Sequence, residues 1–153
     1  MRLTGSQIVD TIPSKVWEIL MNPISLARVV PGIASLERLS EHSYKATLDL
    51  KIGPVNGLFS GNLELHNIIE EKSFTLRTQQ HSKIGNANAN VQIKLDALGN
   101  NQTEVIFDGD VKLSGMLASM GQRLIGGIAN SLSKQFFANL ENEIAITTNF
   151  EKR

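Results

Sequence analysis

The sequence contains no cysteine. Disulfides, thiolate metal sites and a cysteine nucleophile are therefore excluded. It has one Trp and one Tyr in 153 residues, and 15 Lys and Arg balance 15 Asp and Glu. No basic stripe with interleaved aromatic residues exists, so nothing points to nucleic acid. No apolar run approaches the roughly 20 residues of a membrane span, and no signal peptide opens the chain. A cytoplasmic protein is the expectation. Internal repeats, low-complexity stretches and linkers are missing too, and the length suits a single domain over residues 1–153.

Chemistry-bearing patterns are also scarce. His42, His66 and His81 form neither an i,i+4 pair nor a His-x-His pair, so no metal site is expected. Neither a Gly-x-Ser-x-Gly elbow nor a phosphate-binding loop occurs. Asp108 and Asp110 look like a carboxylate pair, but two-residue spacing in a strand puts both on a solvated face. No cofactor is expected.

What is present is a change of period. Arg2 to Thr11 reads as a strand, with Leu3, Ile8 and Val9 available for burial. Pro13 suits the first position of a short helix, and Asn22-Pro23 is a cap-then-N1 start for a second, which must stop before Pro31-Gly32. From Ile33 to Leu113 the period is two. Tyr44, Ala46, Leu48, Leu50 and Ile52 alternate with Lys45, Thr47, Asp49 and Lys51. The same alternation places Phe59, Gly61, Leu63 and Leu65 inward, then Phe74, Leu76, Thr78 and Gln80. It continues with Ala87, Ala89, Val91, Ile93 and Leu95, and with Val105, Phe107, Gly109, Val111 and Leu113. Turn signals separate these runs at Gly53 to Gly57, Glu70 to Ser73, Lys83 to Asn86 and Gly99 to Asn101. Six strands joined by short turns, plus the first, predict a seven-stranded antiparallel sheet with one apolar face. Gly61 and Gly109 mark bends or close approach.

From Ser114 to Phe150 the spacing predicts one long helix capped by Ser114. Its large apolar residues recur every fourth position, at Met116, Met120, Leu124, Ile128, Leu132, Phe136, Leu140 and Ile144. About 30 residues of helix would extend on the order of 45 Å. Only this element can cover the sheet, which must curve around it: an α+β fold. Its first half carries Gly115, Gly121, Gly126 and Gly127. Such glycines either bring the backbone close to the sheet or leave room for something other than side chains.

Small residues also stand on the facing sheet, at Ala46, Gly61, Ala87, Ala89 and Gly109. A wide curved sheet cannot pack closely along all of a straight helix, so an apolar cavity is expected against the helix's glycine-rich half. The candidate ligand-contacting residues are Tyr44, Leu48, Phe59, Gly61, Leu63, Leu76, Thr78, Gln80, Ala89, Val91, Phe107 and Gly109 from the sheet. From the helix they are Met116, Met120, Leu124, Gly127 and Ile128. Thr78 and Gln80 either orient a ligand carbonyl or hydroxyl or stand at an open rim. The turns at Gly53 to Phe59 and Lys83 to Ala87 are candidates for a gate. Tyr44 alone among the inward residues offers a titratable group, which argues against acid–base catalysis.

Several stretches carry a resemblance. Trp17, Pro31-Gly32, Lys51-Ile52-Gly53-Pro54-Val55, Phe59-x-Gly61, Gly115 to Leu124 and Gln135-Phe136-Phe137 resemble the carbon monoxide dehydrogenase G-subunit family over nearly the whole chain. The order of elements resembles the START-like helix-grip fold, shared with the birch-pollen allergen family and polyketide cyclases. The resemblance implies a non-catalytic accessory protein of molybdenum-containing carbon monoxide dehydrogenases or related hydroxylases, with lipid or quinone bound in the helix-grip cavity. Its alternatives are an enzyme of the cyclase or dehydratase kind and a pure assembly adaptor with a filled core. Family members that anchor to membranes carry an extension after the long helix. Here the sequence ends at Arg153, with Ile146 and Phe150 as its last large apolar residues. Membrane contact is expected to be transient or partner-mediated.

Overall fold

A computed structural model describes residues 1–151, with side chains through Thr148. The strands are β1 (Arg2–Val9), β2 (Ile33–Ser40), β3 (Ser43–Ile52), β4 (Val55–Ile69), β5 (Ser73–Ser82), β6 (Gly85–Gly99) and β7 (Gln102–Leu113). Helices α1 (Pro13–Met21) and α2 (Pro23–Val29) follow β1, and α3 (Met116–Ser119) and α4 (Gln122–Glu151) follow β7. The seven strands form one sheet in the order β1-β7-β6-β5-β4-β3-β2. Every pairing is antiparallel, and β1 returns to pair with the last strand, Leu3 opposite Gly109.

Local chemistry accounts for the connections. Asn22 caps α2, its Oδ1 accepting from the Ile24 N–H at 2.9 Å. Asn100 and Asn101 both adopt left-handed backbone, φ 51° and 59°, as a tight hairpin turn with right-handed strand twist requires. Gly61 is needed for close approach: a Cβ there would lie 1.7 Å from the Gln79 carbonyl oxygen on β5.

Three expectations need correction. The first strand ends at Val9, and Ile8 is exposed. Adjacent residues of a strand face opposite ways, so Ile8 and Val9 cannot share the core. The helical stretch does not run unbroken from Ser114. Gly115 and Gly121 take φ of 65° and 84°, which separates the single turn α3 from α4 and starts the long helix at Gln122. Ser114 instead accepts the Asn86 N–H at its hydroxyl, 3.2 Å away. The buried stripe also differs from the four-residue series. Met116 and Leu124 are exposed, whereas Leu117, Ile125 and Phe137, outside the series, are buried; Leu140 and Ile144, at its end, are buried as the series has them. A step of four residues turns about 400°, so a strict series drifts about 40° per step around the helix.

One end of the space between sheet and α4 is filled. Trp17, Leu20, Leu26 and Val29 from α1 and α2 pack with Tyr44, Leu65, Phe74, Leu95 and Val105 of the sheet and with Phe137, Leu140 and Ile144 of α4. Trp17 meets Phe74 edge-on, ring centroids 5.8 Å apart. The Glu143 carboxylate, buried on α4, accepts from Arg28 Nη1 of α2 at 3.0 Å. Asn139 Nδ2 donates to the Val29 carbonyl at 3.2 Å. These polar contacts fix α2 against α4 at the filled end. A second apolar cluster, Val55, Phe59 and Leu117 with Leu48, Leu50, Ile84, Leu113 and Ile128, sits at the other end.

Candidate functional site

Between the two clusters lies a cavity of about 360 Å³, within the range of small-molecule sites. The inward alternation of the strands builds its wall. Of the residues expected to contact a ligand, Leu48, Phe59, Leu76, Thr78, Gln80, Ala89, Val91, Phe107 and Ile128 line it. The others lie elsewhere. Tyr44 and Leu63 belong to the filled core. Gly61 and Gly109 are closed over by backbone or side-chain atoms of β5 and β6. Met116 is exposed, and Met120, Leu124 and Gly127 border a separate groove with Gly53 and Pro54.

Helix rotation explains the misplaced set. From α4 the wall receives Ile125, Ile128, Ala129, Leu132, Ser133 and Phe136, one face at the 3.6-residue period. Gly127 points away from that face. Gly126 opens toward a polar crevice beside β1, with Gln7, Asn130 and Lys134. A Cβ added at either glycine would meet nothing within 4 Å. Neither glycine therefore packs on the sheet, and neither lines the cavity. Sequence reasoning also missed Met1, Leu3, Val30 and Pro31, which come from segments remote in the chain. The alternation of β1 held the signal for Leu3; no local pattern marks Val30.

The wall is almost wholly apolar. Thr78, Gln80 and Ser133 are its polar side chains, and none of the described residues lining it has an ionisable one. Gln80 is 3% exposed, so it stands in the interior and not at a wet rim. Tyr44 is fully buried and its hydroxyl has no hydrogen-bond partner among the described residues. Among those residues no group of His, Asp and Glu could hold a metal ion. Asp108 and Asp110 are on the outer face, paired with Arg2 and the N-terminal ammonium.

The architecture around this cavity, an antiparallel sheet packed on a long C-terminal helix, is shared with known proteins. The family model for the carbon monoxide dehydrogenase G-subunit, CoxG, matches residues 5–145. The chain belongs to the CoxG family. A conserved protein from Geobacillus kaustophilus resembles this CoxG-family chain with a TM-score of 0.92 and 29% identity, over 96% of this chain and 97% of that one. A START superfamily protein from Mycobacterium smegmatis has a TM-score of 0.77 at 12% identity, over 95% and 98% of the two chains. The Zhui aromatase/cyclase from Streptomyces sp. R1128 has a TM-score of 0.70 at 10% identity, over 94% and 92%. At such identities the last two likenesses establish the START-like fold alone. Comparison with curated proteins gives no match.

Proposed function

We propose that this CoxG-family protein is a non-catalytic carrier that holds a hydrophobic small molecule, a lipid or a quinone, between the sheet and α4. The observation that carries this reading is the cavity of about 360 Å³ with its apolar wall. A pure adaptor would be expected to fill that space, because cavities of this size weaken a fold. A cyclase or dehydratase would need an acid or base within reach of substrate, and the inward tyrosine is packed into the core instead. Family membership supports a molybdenum-containing carbon monoxide dehydrogenase or a related hydroxylase as the assembly served.

Exchange of the ligand would pass the turn between β3 and β4 and the helix α3. Val55, Phe59, Ala87 and Leu117 form the cavity wall there. Leu58, Met116 and Leu124 are exposed nearby and suit brief contact with an apolar surface. Among the described residues no helix is long and apolar enough to cross a membrane. Phe150, a candidate for lipid contact, has its side chain outside the described residues.

Native mass spectrometry of protein purified from its own host tests the reading. The expected result is a small apolar molecule carried with the protein, together with uptake of an apolar dye and no stable sedimentation with neutral or anionic liposomes. Failure to bind any apolar compound would remove the carrier function.

A further inference from the structure

The two ends of the sheet differ in the sign of their charge. Asp10, Glu41, Glu70 and Glu71 follow β1 or stand in turns at the end that α1 and α2 plug. At the other end Lys51 flanks the β3–β4 turn and Lys83 stands in the β5–β6 turn. Both lysines are exposed and enter no ion pair among the described residues. Asp49, exposed on the same face of β3 as Lys51, offsets part of this charge. Arg123 adds a third cation. It stands on α4 beside the β3–β4 turn, in a groove with Ile52, Gly53, Pro54, Met120 and Leu124. The groove shares Ile128 with the cavity wall, and Arg123 is its one ionisable side chain among the described residues. Among those residues no Asp or Glu lines the cavity, the groove or the crevice beside β1. An ion inside the apolar wall would lose its hydration with no counter-charge to replace it. At the mouth a charged group keeps its water, and the surrounding cations select its sign.

We propose that the ligand of this cavity is an amphiphile with an anionic head, its apolar body in the cavity and its head in the groove beside Arg123. This rests on the carrier reading above and narrows it to the acidic lipids. A cationic head would meet Arg123, Lys51 and Lys83 as like charges. The planar guanidinium, with its fork of donors, matches a carboxylate or phosphate head. Arg123 is the specificity-determining residue, and the two lysines add to the field at the mouth.

The test uses the full chain and displacement of a bound neutral apolar dye by decanoate and by decylamine, which carry opposite charges near neutral pH on the same chain. An exposed pair of charges changes affinity by up to about fivefold, and attraction of one head adds to repulsion of the other. Decanoate should therefore bind about tenfold more tightly, and high salt should narrow the difference. Arg123→Gln should shrink the preference and Arg123→Glu should erase it, with uptake of the dye unchanged. Lys134→Gln, in the crevice beside β1, should leave the preference in place. Arg123 is exposed, so its variants should fold, as their dye uptake would show. Equal displacement by the two compounds, or a preference that survives Arg123→Glu, would overturn the inference and leave the carrier function standing. Loss of the preference in Lys134→Gln would overturn it as well, by moving the head to the other crevice. A protein that takes up no dye would overturn both readings.

Discussion

One end of the space between the sheet and α4 is filled and the middle is hollow, although the same sheet and helix bound both. The difference lies in the inward rows. Toward the filled end the row across β5, β6 and β7 reads Phe74, Ile93, Phe107, the last two also bordering the cavity; in the hollow it reads Thr78, Ala89, Val111 and then Gln80, Ala87, Leu113. Helices α1 and α2 add Trp17, Leu20, Leu26 and Val29 to the filled end. The backbone stays continuous through both regions. Side-chain size therefore makes the cavity, and substitutions should be able to hollow one region or fill the other.

The largest expected effect comes from hollowing the filled end. Phe137 is buried against Phe107, centroids 6.0 Å apart. Phe137→Ala should cost about 3–5 kcal/mol in urea unfolding, the usual loss for a buried Phe. Its neighbour Phe136 is only partly buried and already faces the cavity. Phe136→Ala should cost less, about 1–2 kcal/mol, because less packing is lost. Equal costs for the two would show that the cavity is not a distinct region.

Filling the hollow should separate binding from stability. Ala89→Leu, between Thr78 and Val111, should weaken apolar-dye binding by about tenfold, as lost space of that kind does for a methylene or two. Gly126→Ala and Gly127→Ala should leave dye binding alone and stabilise α4 by about 1 kcal/mol each, since a Cβ is tolerated and helix propensity rises. Loss of dye binding in the alanine variants would place the ligand in the side grooves rather than the central cavity.

Tyr44 should respond in the opposite direction to most core residues. Its hydroxyl lies in the filled region without a partner among the described residues. Tyr44→Phe removes a buried polar group while keeping the ring, and stability should rise by about 1 kcal/mol. A loss of similar size would mean that the hydroxyl has a partner, and that this end is less dry than its packing suggests.

The sheet was legible because a sheet with one covered face forces alternation, and the inward lists of β3 to β7 follow from it directly. Turn chemistry was legible for the same local reason, as at Asn22 and Asn100-Asn101. The long helix was legible in length but not in place. A four-residue repeat resembles a stripe over two turns and drifts over eight. The break at Gly121 depends on a left-handed backbone that many sequences with Gly do not adopt. Which inward residues face the cavity depends on how α1 and α2 plug one end. That placed Tyr44 in the core and brought Val30 and Pro31 to the wall, through contacts that no short window contains.

The smallest expected effect lies on the outer face, at the seam where β1 closes onto β7. Arg2 donates from Nε to Asp108 Oδ1 at 3.1 Å and from Nη2 to Oδ2 at 2.8 Å. These hydrogen bonds, chiefly, hold the Asp108 carboxyl below the usual carboxylate range, and the guanidinium charge adds to them. Both groups are exposed, so screening keeps the pair's contribution small. A carboxylate whose folded-state pKa is depressed stabilises the fold above its unfolded-state value, and that stabilisation is lost as pH falls through the folded-state value. Arg2→Ala should therefore return the Asp108 titration toward the ordinary range in a carboxyl NMR experiment. Any stability difference from the wild type should close in acid, where Asp108 is protonated in both proteins. Dye binding should not change, because Arg2 points away from the face that carries the cavity. If Asp108 titrates at the same pH in both proteins, the seam is held by backbone pairing alone, with no measurable contribution from the Arg2–Asp108 pair.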